Sequence, residues 1–127
     1  MKKLLILLFS TLILPISVYA SDVYYCVDDA ITGFDTSENH KVSQFNEQKF
    51  KILIDFENKN ITSKEIFFTN SSNKKCVFEP ANQSLNCINN YGVAFAISKN
   101  DLYFVRSSIT PSIGDDPYVA YGTCEKF

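Results

Sequence analysis

Four cysteines, a single histidine and two pairs of adjacent aspartates are the residues whose types could do chemistry in this chain. A structural zinc site needs thiolates or imidazoles paired two to four positions apart. Cys26, Cys76, Cys87 and Cys124 are all more widely spaced than that, and His40 is far from each of them. Nothing matches the Cys-x-x-Cys spacing that lowers a thiol pKa for redox work. An even cysteine count in an exported chain fits two disulfides instead. Four cysteines allow three pairings, and the sequence alone does not choose among them. The layout favours Cys76 with Cys87, which flank Pro80-Ala81-Asn82-Gln83 as facing residues of a hairpin would, and Cys26 with Cys124, tying the first strand to the last.

The remaining catalytic material is thin. Any Ser-His-Asp or Cys-His mechanism must use His40, which sits in the strongly polar stretch Ser37-Glu38-Asn39-His40-Lys41, where a solvated loop histidine is expected. Asp28-Asp29 with Asp35 and Glu38, or Asp115-Asp116, could offer carboxylates to calcium, but neither group has EF-hand spacing. Glycoside chemistry needs two carboxylates at a defined separation, which sequence does not show. No catalytic residue, metal ligand or cofactor is assigned on these grounds. Aromatic residues are plentiful, with 11 Phe and 7 Tyr. Phe50, Phe56, Phe95 and Phe104 are expected in the core. Outward tyrosines such as Tyr24, Tyr103 and Tyr118, or the loop residues Phe34 and Tyr91, could form a binding surface, because an aromatic ring gives contact area at low entropic cost.

The elements that must position these groups begin after a leader. Lys2-Lys3, a largely apolar run from Leu4 to Leu14, Pro15, and Val18-Tyr19-Ala20 before Ser21 read as a cleaved export signal over residues 1–20. As a helix the run spans only about 16 Å, roughly half a bilayer core. Cys26 follows Val23-Tyr24-Tyr25, which does not match a lipid-attachment site. Loss of Lys2 and Lys3 moves the net charge from -2 to -4, and no basic cluster remains to meet a nucleic-acid backbone. The expected location is periplasmic or secreted, with no stable membrane insertion after cleavage. Thr123 and Glu125 break the apolar alternation that a lipid-facing strand ending at Phe127 would need.

Residues 21–127 then form one domain. Phe50, Ile52, Ile54 and Phe56 alternate with Lys51 and Asp55, the pattern of a half-buried strand, and the polar turn Glu57–Asn60 leads to an extended return over Ile61–Phe68. Lys75–Glu79 and Ser84–Ile88 bracket the Pro80–Gln83 turn. Val93, Phe95 and Ile97 alternate with small residues, Leu102–Ile109 follows a Lys99-Asn100-Asp101 turn, and Tyr118–Cys124 closes the chain after the loop Thr110–Pro117. With Val23–Asp28 this predicts an all-β fold of about eight short antiparallel strands in a meander, a small barrel or strongly curved sheet stapled by two disulfides. The one helical candidate is a short turn within Asp35–Phe45, capped by Asp35, Thr36 or Ser37.

The opening Tyr24-Tyr25-Cys26, the meander and the closing Tyr121-Gly122-Thr123-Cys124 resemble small exported bacterial disulfide-bonded β-barrel proteins of unknown function. Among relatives of known role, the layout is weakly similar to the periplasmic C-type lysozyme inhibitors. The resemblance covers the ends and the layout. That family's inhibitory Ser-Gly-Ala/Lys-Tyr-like segment has no counterpart, since Ser112-Ile113-Gly114 and Asn90-Tyr91-Gly92 do not match it, and no inhibitory residue is carried over. With no Trp, the chain also lacks the Gly-x-Trp signature of a lipocalin. The functional expectation is a non-enzymatic binding or inhibitor module acting through the loops Asp29–Lys41 and Thr110–Pro117, with Phe34, Tyr91, Asp115 and Asp116 as its candidate surface. The sequence does not identify the partner, for which a protein or a small apolar ligand is the expectation. The alternatives are a carrier with a small apolar ligand inside the barrel and a carboxylate-dependent hydrolase.

Overall fold

A computed structural model describes residues 21–70, 72–109 and 116–127; the expected leader and Asp115 lie outside the described residues. The chain folds into strands β1 (Asp22–Asp35), β2 (Lys41–Phe45), β3 (Lys49–Asp55), β4 (Asn60–Thr62), β5 (Lys74–Glu79), β6 (Ser84–Asn89), β7 (Val93–Ser98), β8 (Tyr103–Ser108) and β9 (Tyr118–Lys126). Eight of them follow one another in the order β4-β3-β1-β9-β8-β7-β6-β5, all antiparallel, and wrap into a nearly closed barrel. The all-β meander with two disulfides is therefore the observed architecture. Cys26 stands directly opposite Cys124 and Cys76 opposite Cys87, and both pairs are bonded.

Three details depart from the sequence reading. The first strand runs on to Asp35, so much of the expected loop Asp29–Lys41 is strand and only Thr36–Glu38 forms the short turn, capped by the Asp35 carboxylate. A further strand, β2, lies on β1 where no strand was expected. Conversely, the return after the Glu57–Asn60 turn is a strand only over Asn60–Thr62, with a single bridge from Ser63 to Phe68 beyond it. The physical reason for the first two is one irregularity. β1 bulges between Asp28 and Ala30, and β2 and β3 lie end to end on the edge of β1 that β9 does not occupy. Asp28 donates its N–H to the Gln48 carbonyl at 3.0 Å, and its carboxylate accepts the Gln48 N–H at 2.9 Å. The bulge thus keeps a long strand in register on both sides while bending it around the barrel.

Gly122 faces the bulge from β9. A Cβ there would stand 2.0 Å from the Val27 carbonyl oxygen and 2.9 Å from the Phe104 ring, so only glycine lets the two strands approach.

Inside, Phe50, Phe95 and Phe104 fill one layer of the barrel, with Phe95 and Phe104 stacked at 5.3 Å between centroids and Phe50 edge-on to both. Phe56 is only partly buried, and the Lys99 ammonium lies 5.9 Å from its ring centre. Tyr24 corrects an expectation. It alternates with outward Tyr25 and is buried in the core, because Tyr24, Cys26 and Asp28 share the inner face of β1. Tyr103 does point outward, on a wall that also exposes Val105, Val119 and Tyr121.

Antiparallel order sends alternate connections to opposite ends. The tight turns over residues 56–59, 80–83 and 99–102 lie at one end with both termini of the described barrel. The segments over 35–40, 63–70, 72–73 and 90–92, with Ile109, Asp116 and Pro117, lie at the other, the loop end; the rest of the expected loop Thr110–Pro117 lies outside the described residues.

Candidate functional site

At the loop end the barrel interior stops being apolar. Arg106 follows Phe104 on the inward face of β8 and is 2% exposed. Its guanidinium meets the Asp28 carboxylate in a bidentate pair, Nε to Oδ1 at 2.9 Å and Nη2 to Oδ2 at 2.6 Å. Nη2 also donates to Gln48 Oε1 at 2.9 Å, and Nη1 to the Tyr118 hydroxyl at 2.7 Å. The guanidinium plane is held between rings, 5.3 Å from the Phe50 centroid and 5.0 Å from that of Tyr118. It is at once the ceiling of the phenylalanine layer and the floor of what lies above. Every buried side-chain nitrogen and oxygen among the described residues has a partner, so the charge pair is fully compensated.

Above that floor is a cavity of about 320 Å³. Ile31 and Phe45 form its apolar wall, and Asn46, Gln48, Arg106, Asp116 and Tyr118 supply the polar one. Tyr118 therefore corrects the outward reading: its ring covers Arg106, and burial pushes its hydroxyl pKa upward, keeping the phenol protonated. Asp116 stands at the mouth. Its Oδ1 accepts the Thr36 N–H at 2.8 Å and the Thr36 hydroxyl at 2.7 Å, and these bonds hold its carboxyl below the usual aspartate range. The Phe34 N–H donates to the Pro117 carbonyl at 3.0 Å, so the β1–β2 turn and the start of β9 are tied together. Gly33 permits this, since a Cβ there would be 2.2 Å from the Pro117 oxygen and 2.9 Å from Phe45.

Toward the loop end five apolar side chains are between 48% and 70% exposed: Phe34 and Val42, outward-facing partners across β1 and β2, and Phe67, Tyr91 and Ile109 in the connecting segments. Asn89 fixes two of the segments: its Oδ1 accepts the N–H groups of Tyr91 and Val93, and its Nδ2 donates to the Phe67 carbonyl at 2.8 Å. The opposite end exposes Phe127 and Tyr25, in edge contact at 5.7 Å, beside otherwise polar turns.

Of the sequence-predicted surface, Phe34, Tyr91 and Asp116 share this one end of the barrel. His40 is exposed in the turn before β2, with its N–H donating to the Asp35 carbonyl. Among the described residues no three His, Cys, Asp or Glu side chains converge as metal ligands would. Sequence reasoning missed Arg106, Asp28 and Gln48 as members of one cluster. The signal was strand parity, since Arg106 shares the face of Phe104, and Asp28 shares the face of Cys26. A charge on an apolar face of each of two strands implies a buried pair. Compared with family models, with curated proteins and with solved structures, the chain matches none.

Proposed function

We propose that the protein is a non-enzymatic binding module, exported to an oxidising compartment, that engages a protein partner through the loop end of its barrel. The observation that carries this reading is that five exposed apolar side chains, Phe34, Val42, Phe67, Tyr91 and Ile109, lie toward the same end of the barrel as a polar-floored cavity. Exposed aromatics clustered on a rigid frame are the usual anchors of a protein interface. Two disulfides agree with export, to a periplasm or beyond the cell. A carrier reading is less well supported, because phenylalanine rings occupy the middle of the barrel. A hydrolase reading needs a carboxylic acid raised toward neutrality, whereas Asp116 is held low and Asp28 is locked to Arg106.

The test is retention of a partner from an exported-protein extract, followed by titration with purified components. Phe34→Ser combined with Tyr91→Ser is expected to weaken binding at least about tenfold, since an interface aromatic contributes about 2 kcal/mol or more. Asn100→Ser, in the turn at the opposite end, is expected to bind as the parent does. Equal retention by all three proteins, or retention by none, overturns the reading.

A further inference from the structure

The geometry points to a neutral primary amide, the side chain of an asparagine or glutamine on the partner, as the group that the loop-end cavity receives. This deepens the proposed binding function and rests on it. Guanidinium carries five N–H donors. Among the described residues Arg106 commits four of them, two to Asp28, one to Gln48 and one to Tyr118. One N–H on Nη1 is left for a ligand at the cavity floor. The Tyr118 hydroxyl accepts from Arg106 and keeps its own proton to donate. Two donors therefore stand together.

An acceptor stands at the mouth. Among the described residues Thr36 takes up Oδ1 of Asp116, leaving Oδ2 to accept. A primary amide presents one carbonyl acceptor and N–H donors a bond away from it, and so can use both kinds of group. Charge excludes the obvious competitors. The Arg106 charge is already neutralised by Asp28, and Asp116 adds a negative charge, so a carboxylate or phosphate gains no net attraction from the floor and is repelled by Asp116. An ammonium is drawn by Asp116 but carries no acceptor, so it leaves the Arg106 N–H and the Tyr118 hydroxyl proton at the floor unpaired. Ile31 and Phe45 provide contact for the short alkyl stem that carries the amide.

Three probes of the same shape separate these cases: propionamide, propionate and propylammonium, titrated into the disulfide-bonded protein and followed by NMR at the side-chain nitrogens of Asn46, Gln48 and Arg106. Propionamide is expected to give saturable shifts in roughly the millimolar range, as suits so small a ligand. The two charged probes are expected to bind at least about tenfold more weakly. Tyr118→Phe, which keeps the ring over Arg106 and removes the hydroxyl, is expected to weaken propionamide several-fold, and Asp116→Asn to narrow its advantage over propionate. Propionate binding as tightly as propionamide, no saturable shift with propionamide, or binding indifferent to Tyr118→Phe overturns the inference. Partner binding that depends on Phe34 and Tyr91 while propionamide fails would overturn this inference alone and leave the binding module standing.

Discussion

Arg106 and Asp28 are separated by 78 positions in sequence and by one bidentate hydrogen-bonded pair in space. A buried pair of this kind contributes little net stability when intact, because desolvation offsets the attraction, but leaving one member alone is costly. Arg106→Met strands the Asp28 carboxylate with, among the described residues, only the Gln48 N–H as partner and is expected to cost about 3–5 kcal/mol in urea unfolding. Adding Asp28→Leu removes the stranded charge, and the double variant is expected to be less destabilised than Arg106→Met alone. A single variant costing under about 1 kcal/mol would show that water reaches Asp28 and that the pair is not sealed. At this scale the sequence was legible in part. Phe34, Tyr91 and Asp116 are recognisable as loop-end residues from their turn-rich surroundings. Arg106 is recognisable only by its parity with Phe104, and Asp28 is disguised by standing beside Asp29, so that the two look like one solvated acidic pair.

The same disguise explains what happened at the level of elements. Asp28, Asp29 and Gly33 are residues that favour turns, yet β1 runs through all three, because the bulge gives Asp28 a buried partner and Gly33 answers a close approach rather than a turn. β2 has weak alternation, with exposed Val42 and half-buried Ser43, so its apolar pattern carries little signal. Strands with a strict period, β3 and β7, lie where their alternation puts them, since burial of one face fixes their register. The short β4 is the weak element. It pairs with β3 alone, and across the gap to β5 the Lys74 ammonium donates to the Ile61 carbonyl at 2.5 Å and to the Thr62 hydroxyl at 3.4 Å. Burial holds the Lys74 pKa below its ordinary value, so the seam is closed by a partly desolvated charge rather than a backbone ladder. Lys74→Met keeps the alkyl stem and removes the donor. Amide exchange in β4 is expected to quicken by roughly tenfold, the size of one hydrogen bond to a charged group, while β7 and β8 stay protected. Unchanged exchange in β4 would mean that buried Ile66 and Phe68 hold the seam without help from Lys74.

For the whole molecule the two disulfides act on different problems. Cys26–Cys124 ties the first strand to the last, yet it covers no sheet edge, because β1 and β9 are neighbours in the middle of the sheet and already share the longest ladder in the barrel. The ends of the strand order are β4 and β5, and Cys76–Cys87 fastens one of those, β5, to β6. Local protection is therefore the work of the short bridge. The long bridge acts instead on the unfolded chain, since it spans 98 positions against 11 for the other. In the chain-entropy account a loop of about 100 residues contributes about 4.7 kcal/mol and one of about 11 residues about 3 kcal/mol. Both bridges join directly opposite residues of adjacent strands, so the local chemistry lost on replacement is similar. Cys26→Ala with Cys124→Ala is thus expected to lower the unfolding free energy by about 1–2 kcal/mol more than Cys76→Ala with Cys87→Ala. The second variant is expected to show the faster amide exchange in β5, because the edge strand then depends on its β6 ladder and the Lys74 contact. If removing the short bridge costs more, native packing at the β5 edge outweighs chain entropy, and the stability of this barrel is set at its seam rather than by closure of the chain.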